Sequence, residues 1–365
     1  MAGQSVWHEA VKFSLGNWRA SIVVLLPATV LLEVLHSKPI LVFGAAALAI
    51  IPLASLLGDA TEELAAHTGP ALGGFLNATL GNATELIIGV LALWSGHTEV
   101  VKASITGSII GNLLLVFGLA VLVGGMGREK QTFSRVAVGT NTSMLFLAVV
   151  ALVMPALYDL TVFGSLKQTG ATIERLSFWT ALVLLASYAA SLLFTFRTHR
   201  SLFGGEVENP RVRQSTAVGI LVVTTTLIAV ASEILVGQIE AVTRALGWTE
   251  LFVGLIVVAT VGNAAEHSTA VMMARKDKMD LALSIAVGSS TQIALFVAPL
   301  LVLLSQMRPE PMSLVFHPLE IASVIFSVGV VTLVSMDGET NWFEGVQLLG
   351  VYIILGVFFY FLPGA

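Results

Sequence analysis

The stretch Gly81-Asn82-Ala83-Thr84-Glu85 decides the fold, because the chain repeats it 181 positions later as Gly262-Asn263-Ala264-Ala265-Glu266. The same offset places Gly107-Ser108 on Gly288-Ser289, with no insertion between them. Each glutamate stands at the beginning of a long apolar run, where a charge is costly. Two copies of a polar element inside apolar sequence predict an inverted-repeat transporter with its site between the copies.

The composition indicates a membrane protein. Hydrophobic residues make up 56% of the 365 residues and charged residues 11%, whereas soluble domains have roughly 25% charged residues. Apolar runs long enough to cross a bilayer as helices recur along the chain. We therefore predict an all-α polytopic membrane protein, surrounded by lipid and without a nucleic-acid partner. The chain has no cysteine, which excludes disulfides and thiolate metal ligands.

Eleven transmembrane spans are predicted, numbered here in chain order. They cover about residues 20–35, 40–57, 71–94, 100–123, 136–157, 176–196, 216–240, 250–274, 281–304, 319–334 and 343–361. The expected organisation is an N-terminal segment with one extra helix (1–38), a first five-helix repeat (39–198), a cytosolic linker (199–214) and a second five-helix repeat (215–365).

The basic residues predict the orientation. With the N-terminus inside, twelve of the eighteen Lys and Arg residues fall in inner segments and six in outer segments. This bias follows the positive-inside rule, so we expect a cytoplasmic N-terminus and an extracytoplasmic C-terminus. Span 8 is the fifth span after span 3, an odd number, so the two spans cross the membrane in opposite directions. The repeats are therefore predicted to have inverted topology.

The motif residues supply oxygen ligands. Asn82 and Glu85 are three positions apart, so on a helix they share a face. We expect Ser108 to contribute a hydroxyl from span 4. The second copy supplies Asn263, Glu266 and Ser289 in the same relation. Gln292 adds a further amide one helical turn beyond Ser289. Carboxylate, amide and hydroxyl oxygens are the ligands of hard cations such as Ca2+, and two carboxylates balance a divalent charge. Protons compete for the same carboxylates, which predicts exchange of a cation for protons.

Several further residues are assigned secondary roles. The glycines of the motifs are expected to allow close backbone approach and to open turns that free carbonyl oxygens; they are Gly81, Gly107, Gly262 and Gly288. Glu62 and Glu233 each precede a motif and are predicted to line an entrance, to relay protons, or to be solvated helix ends. His267 points about 100° away from Glu266 on a helix, where it either tunes that carboxylate or hydrogen-bonds another span.

These motifs resemble the cation/proton (Ca2+/H+) exchanger family of the calcium/cation antiporter superfamily. The similarity extends to the stretches 107–115 and 288–296 and to the acidic segment 58–64. The resemblance implies export of Ca2+ from the cytosol against inward proton movement, with Glu85 and Glu266 as the central metal and proton carriers. It argues against sodium coupling, because sodium-coupled relatives carry a Thr-Ser-Leu-Pro-Glu type element at the motif. The linker departs from the family, since its acidic residues are only Glu206 and Glu208.

The residues alone leave several functions open. Transport of Mn2+ or another divalent cation, and exchange coupled to sodium, use the same ligands. A passive channel and an intramembrane metal-dependent hydrolase are the alternatives of other classes. Against the hydrolase, no nucleophile-and-base pair stands near either motif. We expect a transporter and not an enzyme, with no cofactor, Ca2+ as transported substrate, and a prokaryotic cell membrane as its location. The oligomeric state stays open.

Overall fold

The computed structural model describes residues 13–14, 19, 21–164, 170–199 and 210–363. The α-helices are Ile22–Val34, Pro39–Thr68, Pro70–Leu80, Ala83–Trp94, Thr98–Ile110, Phe117–Gly125, Arg135–Phe163, Ala171–Leu193, Gln214–Gly237, Ile239–Leu246, Glu250–Phe252, Ala259–Gly262, Ala264–Arg275, Met279–Gln292, Ala298–Ser305, Pro318–Ser335 and Trp342–Tyr360. Four π-helical stretches continue or join them, at Gly111–Val116, Phe194–Thr198, Val253–Val258 and Ile293–Val297. Two short strands, Gln131–Thr132 and Glu339–Thr340, form an antiparallel pair.

The predicted all-helical membrane fold is confirmed. Among the described residues, eight helical stretches are long and apolar enough to cross a membrane, or ten if each of two bent pairs counts as one span. The pairs are Leu72–Leu80 with Ala83–Trp94, bent by 41°, and Ile239–Leu246 with Glu250–Gly262, bent by 113°. A shorter apolar helix, Val24–Val34, lies where span 1 was predicted. Every one of the eleven predicted spans thus has a helical counterpart.

Span 8 is the element that differs most from its prediction as one continuous helix. It contains the π-helical stretch Val253–Val258 and is interrupted at Asn263, after which Ala264–Arg275 continues. The apolar part ends at Gly262, because the helix that follows carries Glu266, His267 and two small hydroxyl residues.

Contacts between loops agree with the predicted alternation of spans. The strand Gln131–Thr132 follows span 4 and pairs with Glu339–Thr340, which precedes span 11. Counting eleven crossings puts both on the inner side. Likewise, His97 before span 4 and Glu250 at the start of span 8 approach to 3.0 Å between Nδ1 and Oε1, and both belong to the predicted outer side.

The contacts group the chain into two compact units, each of which takes segments from both predicted repeats. The first unit is Met1–Gly96, Ser191–Trp248 and Val261–Ala265, and the second is His97–Ala190, Thr249–Thr260 and Glu266–Ala365. The division into two five-helix repeats remains a prediction. Most of the N-terminal segment before span 1 and of the predicted linker, including Glu206 and Glu208, lies outside the described residues.

In the first unit, Pro39–Thr68 packs along Gln214–Gly237. Small side chains on both helices are fully buried, among them Ala46, Ala49 and Ala60 on one and Ala217 and Ala231 on the other. Small residues let helix backbones approach closely in a membrane, where packing rather than the hydrophobic effect holds helices together.

In the second unit, Thr98–Ile110 packs against the π-helical part of span 8. A Cβ added to Gly107 would lie 2.1 Å from the carbonyl oxygen of Leu255, and one added to Gly254 would lie 2.6 Å from that of Val100. Glycine is therefore required on both helices where spans 4 and 8 cross.

Candidate cation site

The first motif forms a break between two helices. Gly81 and Asn82 are the turn between Pro70–Leu80 and Ala83–Trp94. A Cβ on Gly81 would lie 2.6 Å from the carbonyl oxygen of Asn77, so a larger residue there would have to displace the preceding turn of the helix. Asn82 is fully buried in this turn. A broken helix with a buried amide at the break is the arrangement by which discontinuous transporter helices present polar groups.

Glu85 lies in the first turn of the helix that follows the break. Its carboxylate faces the second motif: a Cβ added to Gly262 would stand 3.3 Å from Cγ and 3.6 Å from Oε1 of Glu85. Its other oxygen, Oε2, is buried. The helix N-terminus favours the negative charge of this carboxylate. The first glutamate and the second glycine motif are therefore in contact.

The second motif repeats this local design. Asn263 is fully buried between Ala259–Gly262 and Ala264–Arg275, and Glu266 lies in the first turn of the latter helix. The Ser289 hydroxyl donates a hydrogen bond to the Glu266 carboxylate. The buried Oε2 of Glu266 has no hydrogen-bond partner among the described side chains and backbone. An acceptor oxygen in this state can accept a proton or coordinate a cation.

The remaining predicted ligands are placed as follows. Ser108 is 4% exposed in Thr98–Ile110, and Gln292 is half-buried at the end of Met279–Gln292. Of the predicted ligands, Asn82, Glu85 and Asn263 belong to the first unit. The others belong to the second unit, namely Ser108, Glu266, Ser289 and Gln292.

The motif glycines do not all have the predicted close approach. Gly107 packs on the backbone of Leu255, Gly262 is approached by the Glu85 side chain, and Gly81 is crowded only by its own helix. Gly288 departs from the prediction, because no described atom lies within 4 Å of a Cβ built there. Repeat-equivalent glycines 107 and 288 thus have different surroundings, so the two halves do not pack identically.

The residues that were assigned secondary roles differ in their exposure. Glu62 and Glu233 are both exposed on their helices, and His267 is half-buried next to Glu266. Exposure fits an entrance or a solvated helix end. The neighbour of Glu62 is the residue that the sequence analysis missed: Glu63 is 3% exposed and pairs with Arg211.

Sequence reasoning also missed a buried polar cluster at the start of span 4. Lys102 was assigned to an outer segment, yet it is 3% exposed inside Thr98–Ile110. Its ammonium group donates to the carbonyl oxygen of Val315 at 3.0 Å. The signal that was available is a lysine within an otherwise apolar run, since a charge there requires a partner.

The donor set determines which cations fit. Among the described residues, no group of three or more His, Cys, Asp and Glu side chains is arranged to hold a metal ion. The candidate ligands are instead carboxylates supplemented by amide and hydroxyl oxygens. Such a set suits a hard cation that binds reversibly through oxygen.

Comparison with known proteins gives a consistent result. The profile of the family described as sodium/calcium exchanger protein matches residues 38–197 and 216–361. A Ca(2+)/H(+) antiporter of Aphanothece halophytica is 44% identical over 360 residues, covering 94% of this chain and 96% of the relative. The Ca(2+)/H(+) antiporter ChaA of Bacillus subtilis is 41% identical over 344 residues, covering 92% and 96%. The solved structure of native YfkE superposes with a TM-score of 0.82 at 39% identity, covering 93% of this chain and 98% of that one.

Proposed function

Because this chain belongs to the sodium/calcium exchanger protein family, and within it to the cation/proton exchangers, we propose that it is a Ca2+/H+ antiporter. It exports Ca2+ from the cytosol and takes up protons in exchange. Relatives at 41% and 44% identity over almost their whole length bear that name. Transport, and not enzymatic turnover, is the activity that this assignment implies.

One observation carries the proposal beyond the family. The Glu85 carboxylate of the first motif lies against Gly262 of the second, and both motif asparagines are fully buried. A charged group in this position is expensive inside a membrane protein unless it serves transport. A divalent cation or protons bound to the carboxylate remove that cost. The charge of the motif is therefore neutralised only when one of the two transported ions is bound.

We assign the roles accordingly. Glu85 and Glu266 bind either Ca2+ or protons. The supporting ligands are Asn82, Asn263, Ser108, Ser289 and Gln292. Occupation by cation or by protons neutralises the carboxylates, and only the neutralised protein reorients between the two sides. This is alternating access by inverted repeats.

The orientation and location complete the proposal. The N-terminus lies in the cytoplasm, the C-terminus outside, and the protein resides in a prokaryotic cell membrane. The loop contacts support the alternation of sides, because Lys130 pairs with Glu339 on the predicted inner side and Arg308 donates to Thr98 on the predicted outer side.

The test is Ca2+ uptake by the purified protein in proteoliposomes, driven by an imposed pH gradient without sodium. We expect saturable uptake that ends when a protonophore removes the gradient. Uptake only under a sodium gradient would contradict proton coupling, and uptake of Mn2+ in preference to Ca2+ would contradict the assigned cargo. Ion conduction that needs no countersubstrate would identify a channel instead.

A further inference from the structure

A second buried polar cluster lies at the outer end of span 4, away from the motif glutamates. Its members Lys102, Thr106 and Glu320 are 3%, 0% and 1% exposed. Burying three polar side chains together costs free energy unless each is hydrogen-bonded. Their contacts show that they are.

Glu320 connects two spans. Its Oε2 accepts the backbone N–H of His317 at 2.9 Å, which caps the start of span 10. Its Oε1 accepts the hydroxyl of Thr106 in span 4 at 2.6 Å. One carboxylate therefore fixes span 4 against the first turn of span 10.

Lys102 supplies the compensating charge and a further attachment. Its ammonium group interacts electrostatically with Glu320 and Glu99 and donates to the Val315 carbonyl at 3.0 Å. Val315 belongs to the segment 312–316, which leads into span 10 and has every residue at most 2% exposed. Non-helical backbone buried at such a place requires side-chain partners, and Lys102 is one of them.

The cluster fixes the position and rotation of span 4, the helix that carries the candidate ligand Ser108. Thr106 precedes Ser108 by two residues, about 200° around the helix. Glu320 thus holds one side of span 4 while Ser108 is presented on nearly the opposite side. Gly107, between them, rests on the backbone of Leu255. Span 4 is fixed at the level of its ligand by two neighbouring elements.

The internal repeat supplies a comparison. The offset of 181 places Leu283, Val287 and Gly139 at the positions of Lys102, Thr106 and Glu320. Leu283 and Val287 are buried apolar residues. Apolar packing is therefore enough to hold span 9 in the bundle at the equivalent positions. Replacing buried ion pairs by apolar residues is often neutral or stabilising, so stability alone does not account for the polar cluster in span 4.

We infer that Lys102, Thr106 and Glu320 are positioning residues for cation binding, which act by fixing span 4 and thereby Ser108. The inference rests on the proposed Ca2+/H+ exchange. It predicts that weakening the cluster lowers the affinity for Ca2+ in a protein that still folds and still transports at saturating Ca2+.

The deciding pair of variants is Thr106→Val and Thr106→Ser, measured as pH-driven Ca2+ uptake in proteoliposomes at varied Ca2+. Valine removes only the hydroxyl that binds Glu320, while serine retains it. We expect about a fivefold or larger rise in half-saturating Ca2+ for Thr106→Val, from loss of a hydrogen bond to a charged group. Thr106→Ser should keep the wild-type value, and the maximal rate should change little in both.

A matched control exists at span 11. Glu344 caps that helix as Glu320 caps span 10, accepting the Thr340 hydroxyl at 2.7 Å and the Asn341 backbone N–H at 3.1 Å. Within the described residues, neither of these two hydrogen bonds reaches span 4. Glu320→Gln should raise half-saturating Ca2+, whereas Glu344→Gln should leave it at the wild-type value.

A charge-pair comparison completes the test. Lys102→Met leaves the Glu320 carboxylate without its cation, so the double variant Lys102→Met/Glu320→Gln should bind Ca2+ better than the product of the single effects predicts. Wild-type half-saturation in both Thr106→Val and Glu320→Gln would overturn the inference. Absence of pH-driven Ca2+ uptake in the wild type would overturn the proposed function and this inference with it, so the two failures are distinguishable.

Discussion

The Ser290 hydroxyl lies 3.4 Å from the carbonyl oxygen of Ile109, and these two residues are 181 positions apart in the chain. That separation equals the offset between the two glutamate motifs, so the contact joins repeat-equivalent positions of spans 4 and 9. In an internally two-fold arrangement, equivalent residues meet only close to the axis. The contact therefore supports inverted repeats with a pseudo-two-fold axis passing between Ile109 and Ser290.

The contact between Glu85 and Gly262 gives the first prediction. In Gly262→Ala, the new methyl group would stand 3.3 Å from Cγ of Glu85, which forces the carboxylate to shift by a few tenths of an ångström. We expect about a tenfold rise in half-saturating Ca2+ for uptake, since a ligand displaced from its bound geometry loses affinity. Gly219→Ala is the control, because no described atom beyond its own stretch of helix lies within 4 Å of a Cβ there. Equal behaviour of the two variants would contradict the role of this contact.

The second prediction concerns the two carboxylates themselves. Glu85→Gln and Glu266→Gln should each abolish Ca2+ uptake, because an amide neither carries the exchanged proton nor balances the cation charge. Both proteins should fold, since glutamine has the same shape and needs no compensating charge. The measurement is uptake together with the Ca2+-dependent rise in thermal midpoint, which should be lost. Glu240→Gln, at an exposed site on the chain, should retain both. Transport by either motif variant would mean that the central carboxylates are misassigned.

The membrane fold was predictable because its signals are local and repeated. Apolar runs define spans by length alone, and the offset of 181 pairs the motifs without reference to structure. The break at Gly81-Asn82 also follows from the sequence, since glycine and asparagine favour turns. These features depend on neighbours within a few residues or on exact repetition.

The contacts of single side chains were not predictable in the same way. Glu62 and Glu63 are adjacent and chemically identical, yet only Glu63 is buried, and its partner Arg211 is 148 positions away. Gly107 and Gly288 are equivalent in the repeat, yet among the described atoms only a Cβ added to Gly107 would meet a close neighbour. In both cases the outcome depends on which distant segment packs there, and sequence symmetry carries no information about that difference.

The third prediction tests the orientation, and the cysteine-free chain is a suitable background for it. Met307 and Met336 flank span 10 and are 79% and 68% exposed. With the N-terminus inside, Met307→Cys should react in intact cells with a membrane-impermeant maleimide. Met336→Cys should react only after permeabilisation. The reverse pattern would invert the proposed orientation, and equal labelling of both would remove span 10 as a crossing.

The fourth prediction concerns the end of the linker. Glu63 accepts backbone N–H groups of Arg211 and Val212 at 2.8 and 3.2 Å and also pairs with the Arg211 guanidinium. Arg211→Met removes the guanidinium and keeps an unbranched side chain. The Arg211 side chain is 54% exposed. We expect a loss of about 1 kcal/mol in unfolding free energy, because exposure reduces the value of the pair. Thermal denaturation measures it, with the exposed Arg213→Met as control. An unchanged midpoint for Arg211→Met would show that the backbone contacts alone hold Glu63.

The last prediction is a pH dependence at the cap of span 10. Burial lowers the pKa of His317 below its ordinary value, and nearby Glu99 opposes this only in part. The neutral ring is also the form that caps the helix, since Nδ1 accepts the Leu319 N–H at 3.2 Å. A histidine with a lowered folded-state pKa stabilises the fold fully above its unfolded pKa of about 6.5, and this stabilisation is lost as pH falls through the folded pKa.

His317→Asn isolates that contribution, because asparagine also caps a helix N-terminus but does not titrate. The neighbouring charged groups Glu99, Lys102 and Glu320 remain in both proteins, so their titration cancels in the difference. We expect the thermal midpoint of the wild type to decline relative to His317→Asn as pH falls below about 6.5. The control His36→Asn replaces an exposed histidine outside this cluster and should show no such trend. If the His317→Asn difference were independent of pH, the ring would not titrate with folding, and its capping hydrogen bond would not depend on the neutral form.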